Sequence, residues 1–179
     1  MNEIDVVRDI SHRFDSAGIP FMLAGSMAMN YYAQPRMTRG IDVVIALSAG
    51  EAEHLVTLFQ PDYHVSEESV RESLVQESIF NLIHEQSVIK VDCITRKNSE
   101  YRRAEFERRQ QISILDFRTF IVSKEDLIIS KLFWARDARS ERQLGDVKNL
   151  LATGFDEVYL QRWTRELGLD SLLAECLGK

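Results

Sequence analysis

Cysteine is scarce in this chain, with two in 179 residues, Cys93 and Cys176. They lie far apart and form no metal-ligand spacing, so neither a disulfide scaffold nor a thiolate metal site is expected. Cys93 sits in an apolar run and reads as a small buried hydrophobe. Histidine is equally thin: His12, His54, His64 and His84 are scattered, none at HxxxH or HExxH spacing, which argues against zinc chemistry. A G-x-S-x-G elbow and a G-x-x-x-x-G-K-[ST] loop are both missing, which removes α/β-hydrolases and P-loop enzymes. No apolar run is long enough to span a membrane. The start, MNEIDVVRDI, lacks the basic and apolar regions of a signal peptide, so a cytoplasmic protein is expected. An excess of basic charge is lacking as well. The formal net charge is −6, which gives no global attraction to nucleic acid or to an anionic membrane. Arg96, Lys97, Arg102, Arg103, Arg108 and Arg109 do cluster, but Glu100, Glu105 and Glu107 interleave them. A solvated face of mixed charge is the favoured reading there.

What is present is a 45% hydrophobic, 28% charged composition, that of an ordinary globular chain. The pattern runs from mixed α and β to helices alone. Ile4, Val7, Ile10 and Phe14 recur at helical spacing before Gly18 and Pro20. Phe21 to Ala24 reads as a buried strand, and Met27 to Ala33 as a helix after Gly25-Ser26. Gly40 to Leu47 is a β-branched strand. Ser48 caps a helix to Phe59, with Glu51 completing a capping box. Tyr63 to Val65 is a brief strand and Glu67 to Val75 a short helix. Ser78 to His84 and Ser87 to Thr95 read as two antiparallel strands, followed by a helix over Asn98 to Arg108. Ile112 to Leu115 and Phe120 to Val122 are short strands. From Ser123 onward helices are expected at 124–138, 141–152, 155–167 and 171–176. The division expected is a mixed α/β part, residues 1–122, and a helical part, residues 123–179, packed on it. Phe133 and Trp134 read as core.

Four places carry candidate chemistry. Strand, Gly25-Ser26, helix is an arrangement that can hold phosphate, because free N–H groups and the positive dipole end meet at the turn. It is also a common plain helix cap. Residues 40 and 42 would share one face of the next strand. Asp42 is an acid in an apolar run, which calls for compensation or a ligand. Asp92, in VIKVDCI, is a second such acid. For each, pairing with arginine and ligand binding stay open. Lys131 follows Leu127 and Ile128 on the apolar side of its helix, where a lysine must snorkel or meet an anion. Asp146 could orient Lys131, although surface solvation is the favoured reading.

Taken together, LAGSMAMNYYAQPRMTRGIDVVI resembles the signature of nucleotidyltransferases of the DNA polymerase β superfamily: Gly-Ser, a helix, then a strand with Asp-x-Asp. The tail SKEDLIISKLFWARDARSERQLGDVKNLL resembles the AbiEii-type group, which includes toxins of toxin–antitoxin systems. The resemblance implies an α+β nucleotidyltransferase fold, a mixed sheet flanked by helices with a C-terminal helical bundle. It implies that Gly25 and Ser26 hold the phosphates of an NTP such as ATP, and that positions 40 and 42 with Asp92 bind two Mg²⁺. It further implies that Lys131 contacts the triphosphate and that Asp146 matches the last motif. The reaction would be NMP transfer to a hydroxyl acceptor, with pyrophosphate leaving. Glycine stands at position 40, where the first aspartate is expected. Impaired catalysis follows. Three readings stay open: a transferase acting on RNA such as tRNA, with Arg136, Arg139 and Arg142 among its phosphate contacts and a cognate antitoxin; one acting on a small antibiotic; and an inactive nucleotide- or partner-binding protein.

Overall fold

Alternating burial organises the central strands. The computed structural model describes residues 1–37 and 40–179; Thr38 and Arg39 of the signature stretch lie outside the described residues. Seven strands form one mixed sheet: β1 (Phe21–Ala24), β2 (Ile41–Ile45), β3 (Tyr63–His64), β4 (Ile79–His84), β5 (Lys90–Thr95), β6 (Gln110–Ile114) and β7 (Phe117–Ile121). Their order is β3-β4-β5-β2-β1-β7-β6. β2 runs parallel to β5, and β1 parallel to β7; the other neighbours are antiparallel.

One face of this sheet is the core. Ile41, Val43 and Ile45 alternate inward on β2, as do Val91 and Cys93 on β5, all fully buried. Helices α1 (Glu3–Ser16), α3 (Ala52–Phe59) and α4 (Glu67–Gln76) cover it. Phe14 of α1 packs on Phe21 at 5.4 Å and on Phe59 at 5.1 Å between ring centroids. Ser11 bonds Thr119 and Ser73 bonds Thr95, so hydroxyls facing this core find partners there. The Ser48–Glu51 capping box forms, opening a short 3₁₀ turn that leads into α3.

The opposite face is only partly covered. It presents, row by row, Ala24, Asp42, Asp92 and Asn81, then Met22, Val44, Ile94 and Ile79. Helix α2 (Gly25–Tyr32) leaves β1 at the first row. Helices α5 (Glu100–Glu107), α6 (Lys124–Ala138), α7 (Glu141–Leu151), α8 (Glu157–Glu166) and α9 (Asp170–Cys176) make up the rest. Tyr101 of α5 meets Trp163 of α8 at 5.2 Å, binding the helices that follow the sheet to one that precedes its last hairpin.

Several boundaries differ from the pattern reading for local reasons. β5 begins at Lys90, not Ser87, because Val88 adopts a φ of +56° in the turn after β4. β6 begins earlier, at Gln110, and ends at Ile114, while β7 begins at Phe117 rather than Phe120, because the turn between them lies at Leu115, with a φ of +51°. Trp134 is not core: it is 62% exposed, while Phe133 beside it packs toward Tyr101. The arginine-rich stretch is not a uniformly solvated face either. Glu105 is buried and receives Arg102 on both carboxylate oxygens, at 3.0 and 2.9 Å. Among the described residues, no helix is long and apolar enough to cross a membrane.

Candidate nucleotide-binding site

Register decides the site. Asp42 on β2 lies directly opposite Asp92 on β5, and Ala24 of β1 flanks Asp42 on its other side. Adjacent strands are about 4.8 Å apart, and both acids point to the open face. Two half-buried carboxylates therefore stand side by side where β1 hands over to α2.

Asp42 is held against that handover. Gly25 has a φ of +54°, and a Cβ on it would sit 2.1 Å from Asp42 Oδ2. Glycine is thus required twice, by the left-handed backbone and by the carboxylate pressed against it. Burial pushes the Asp42 carboxyl above the usual carboxylate range, and the charge of Asp92 adds to the rise. The backbone N–H of Ser26 opposes it, with smaller help from Lys131 and Lys90. Asp92 accepts a hydrogen bond from Asn81 Nδ2 at 2.5 Å and lies 3.4 Å from Lys90 Nζ.

Lys131 and Asp146 come together as a buried pair. Lys131 Nζ donates to Asp146 Oδ2 at 2.8 Å and to Gln143 Oε1 at 3.2 Å. Asp146 is 5% exposed, so the solvated reading of it is overturned. Its Oδ2 also receives Arg36 Nη2 at 2.7 Å. Arg36 sits in the segment between α2 and β2, fixed there by Asn30, whose side chain accepts from Arg36 N and donates to Arg36 O. Two cations on one carboxylate leave a net positive charge beside α2, suited to an anion. Arg36 Nε is buried with no hydrogen-bond partner among the described residues.

Arg36, Asn81 and Gln143 were not singled out by the sequence. Arg36 had a signal, a basic residue just after the Gln-Pro break that ends α2. Its partner, however, lies 110 residues away. Position 40 also takes concrete form. Gly40 directly precedes β2 on the Asp42 face, its φ lies outside the left-handed region, and among the described residues a Cβ there would meet nothing within 4 Å. The backbone does not demand glycine, and a larger side chain has room. Among the described residues no three His, Cys, Asp or Glu side chains gather as a metal cluster.

Solved structures similar to this one include nucleotidyltransferases. The chain is similar to an antigenic nucleotidyltransferase-like protein from Paracoccidioides brasiliensis, with a TM-score of 0.61 at 14% identity over 96% of this chain and 92% of that one. It is similar to ANT(2'')-Ia in complex with adenylyl-2''-tobramycin, with a TM-score of 0.59 at 12% identity over 99% and 98%. The lincosamide antibiotic adenylyltransferase LnuA, lincomycin-bound, gives a TM-score of 0.54 at 16% identity over 84% and 96%. The fold is that of nucleotidyltransferases. No protein-family model matches the chain, and no curated protein matches it significantly. In this nucleotidyltransferase fold Gly25, Ser26, Asp42 and Asp92 gather at one end of the open face, and Lys131 is near enough to act on the charge of Asp42.

Proposed function

We propose that this chain is a nucleotide-binding protein of the nucleotidyltransferase type, built to transfer NMP from an NTP to a hydroxyl acceptor and impaired in that step by Gly40. The observation that supports it most is the direct pairing of Asp42 with Asp92 beside the Gly25-Ser26 turn. The α2 N-terminus offers N–H donors and its dipole to a polyphosphate. Lys131 and Arg36 add positive charge to the same anion, held in place by Asp146. Such fixed donors stabilise charge without reorganising during the reaction.

The donor set sets a limit on metal. Magnesium is commonly held by one or two carboxylates together with substrate phosphates and water. Asp42 and Asp92 fit one such ion arriving with an NTP. They do not fit a two-ion site, because position 40 offers no side-chain oxygen. When bound, the ion would neutralise phosphate charge. Asp92, braced by Asn81, would orient the acceptor hydroxyl and accept its proton.

The test compares this protein with its Gly40→Asp form in a labelled-NTP transfer assay on total RNA, with lincomycin and tobramycin as parallel acceptors. Position 40 has room for the new side chain, so the variant is expected to fold and to transfer label, at least about 100-fold faster than the parent. Equal inactivity of two folded proteins would count against the reading. RNA is the acceptor that the AbiEii resemblance favours. A second reading, an inactive nucleotide-binding protein, is favoured by Gly40 itself. It predicts ATP binding by both forms with transfer by neither.

A further inference from the structure

We propose that Arg96 and Arg109 form an anion subsite on the open sheet face, selecting acceptors that carry a phosphate group. The proposal rests on the transferase reading above and names its acceptor class. Arg96 follows β5 directly, and its N–H extends the ladder to Ile45 O. Thr95 faces the core, so Arg96 falls on the same side as Asp92 and Ile94. Its guanidinium lies over the Phe106 ring at 5.5 Å. Arg109 lies over the same ring at 4.5 Å and over Phe120, on β7, at 5.2 Å.

Two cations thus share one aromatic ring. Neither forms an ion pair among the described residues, whereas neighbouring Arg102 and Arg108 are matched to Glu105, and to Glu125 and Asp126. Arg96 makes no side-chain hydrogen bond there, and Arg109 makes one, to Phe106 O at 2.9 Å. Both Nε atoms are buried without a partner among the described residues. Burial and the charge of Arg96 hold the Arg109 guanidinium below the usual arginine range, so the pair is mutually unfavourable as it stands. An anion bridging the two guanidiniums relieves both costs, and arginine forks suit phosphate oxygens.

The position gives the subsite its role. Arg96 is four residues along β5 from Asp92, roughly 13 Å between Cα atoms at the rise of a strand. Val44 and Ile94 lie between them, with Ile79 53% exposed at the side. An acceptor crossing this apolar strip places its hydroxyl at the acids and its phosphate at the arginines. A polycationic aminoglycoside is disfavoured there by like charge.

The experiment titrates ribose 5-phosphate and a trinucleotide of RNA, separately, into the full chain presaturated with a non-hydrolysable ATP analogue. The parent, the Arg96→Gln/Arg109→Gln double variant and the Arg96→Lys/Arg109→Lys double variant are compared. The Gln variant should lose at least about tenfold in affinity for the better probe, and the Lys variant should retain most of it. The probe that binds more tightly identifies the source, a free sugar phosphate or an RNA end. Inorganic phosphate should raise the melting temperature of the parent and Lys forms more than that of the Gln form. Equal affinity of parent and Gln variant for both probes overturns the subsite. So does transfer to tobramycin by the Gly40→Asp protein that the arginine substitutions leave unchanged, a result that keeps the transferase reading. Loss of ATP-analogue binding in a folded parent would instead strike that reading, and the phosphate melting shift would still judge the arginine pair.

Discussion

Asp42 is a costly acid on the open face. It is half-buried, beside a second carboxylate, and pressed on the Gly25 backbone. Its folded pKa lies above that of an unfolded aspartate, so the native state binds more proton. The cost is absent below the ordinary carboxylate range and grows as pH rises through the raised value. Residues that reduce stability in this way are common at binding sites. Gly25 shows the matching backbone constraint. A Gly25→Ala protein should lose about 2 kcal/mol, from the left-handed φ and the displaced carboxylate. Urea unfolding would show a lower midpoint with an unchanged slope, and a midpoint equal to the parent's would contradict the close packing. The acids themselves were legible as unusual residues in apolar runs. Their meeting at one site was implied by the family resemblance, but not their direct register, which joins positions 50 apart in the chain. Arg36 was hidden for the same reason, whereas Asp146 was legible as a partner of Lys131 and only its burial was not.

Among the elements, α6 does the most joining. Ser123 caps it, accepting from Asp126 N and donating to Asp126 Oδ2 at 2.6 Å. Asp126 is fully buried and also receives Tyr101 Oη at 2.9 Å and Tyr159 Oη at 2.7 Å. Arg108 stacks on the Tyr159 ring, 3.4 Å from its centroid. One carboxylate therefore joins α5, α6 and α8. Asp126→Ala should cost about 3 kcal/mol or more, since it strands the buried Tyr101 hydroxyl and the half-buried Tyr159 hydroxyl, while Tyr159→Phe should cost about 1 kcal/mol. Equilibrium unfolding of both variants checks the ordering; near-equal losses would contradict a shared hub. In sequence, Ser123 marked only the start of the helical part. Capping is local and visible, whereas the tyrosines arrive from 25 residues upstream and 33 downstream. Trp134 misled for the opposite reason. Its apolar side chain suggested core, but its face of α6 meets no helix that would bury it.

At the scale of the molecule, alternation along β1, β2 and β5 produces a two-sided sheet. One side buries aliphatic residues under α1, α3 and α4, and the other holds acids, an apolar strip and an arginine pair in sequence. That layout accounts for a net charge of −6 coexisting with local anion sites. The fold class was legible because helix and strand periods changed clearly along the chain. Strand order was not, since β7 returns to pair with β1 from almost 100 residues away. The claim on which the account turns is that Asp42 helps hold a nucleotide at the Gly25-Ser26 turn. Calorimetric titration of ATP with Mg²⁺ into the parent and Asp42→Asn proteins tests it most directly. The parent should bind, Mg²⁺-dependently and more weakly as pH falls through the raised Asp42 pKa. The Asn protein, folded and at least as stable, should lose the Mg²⁺-dependent part at every pH. Equal Mg²⁺-dependent binding by both proteins would contradict the account.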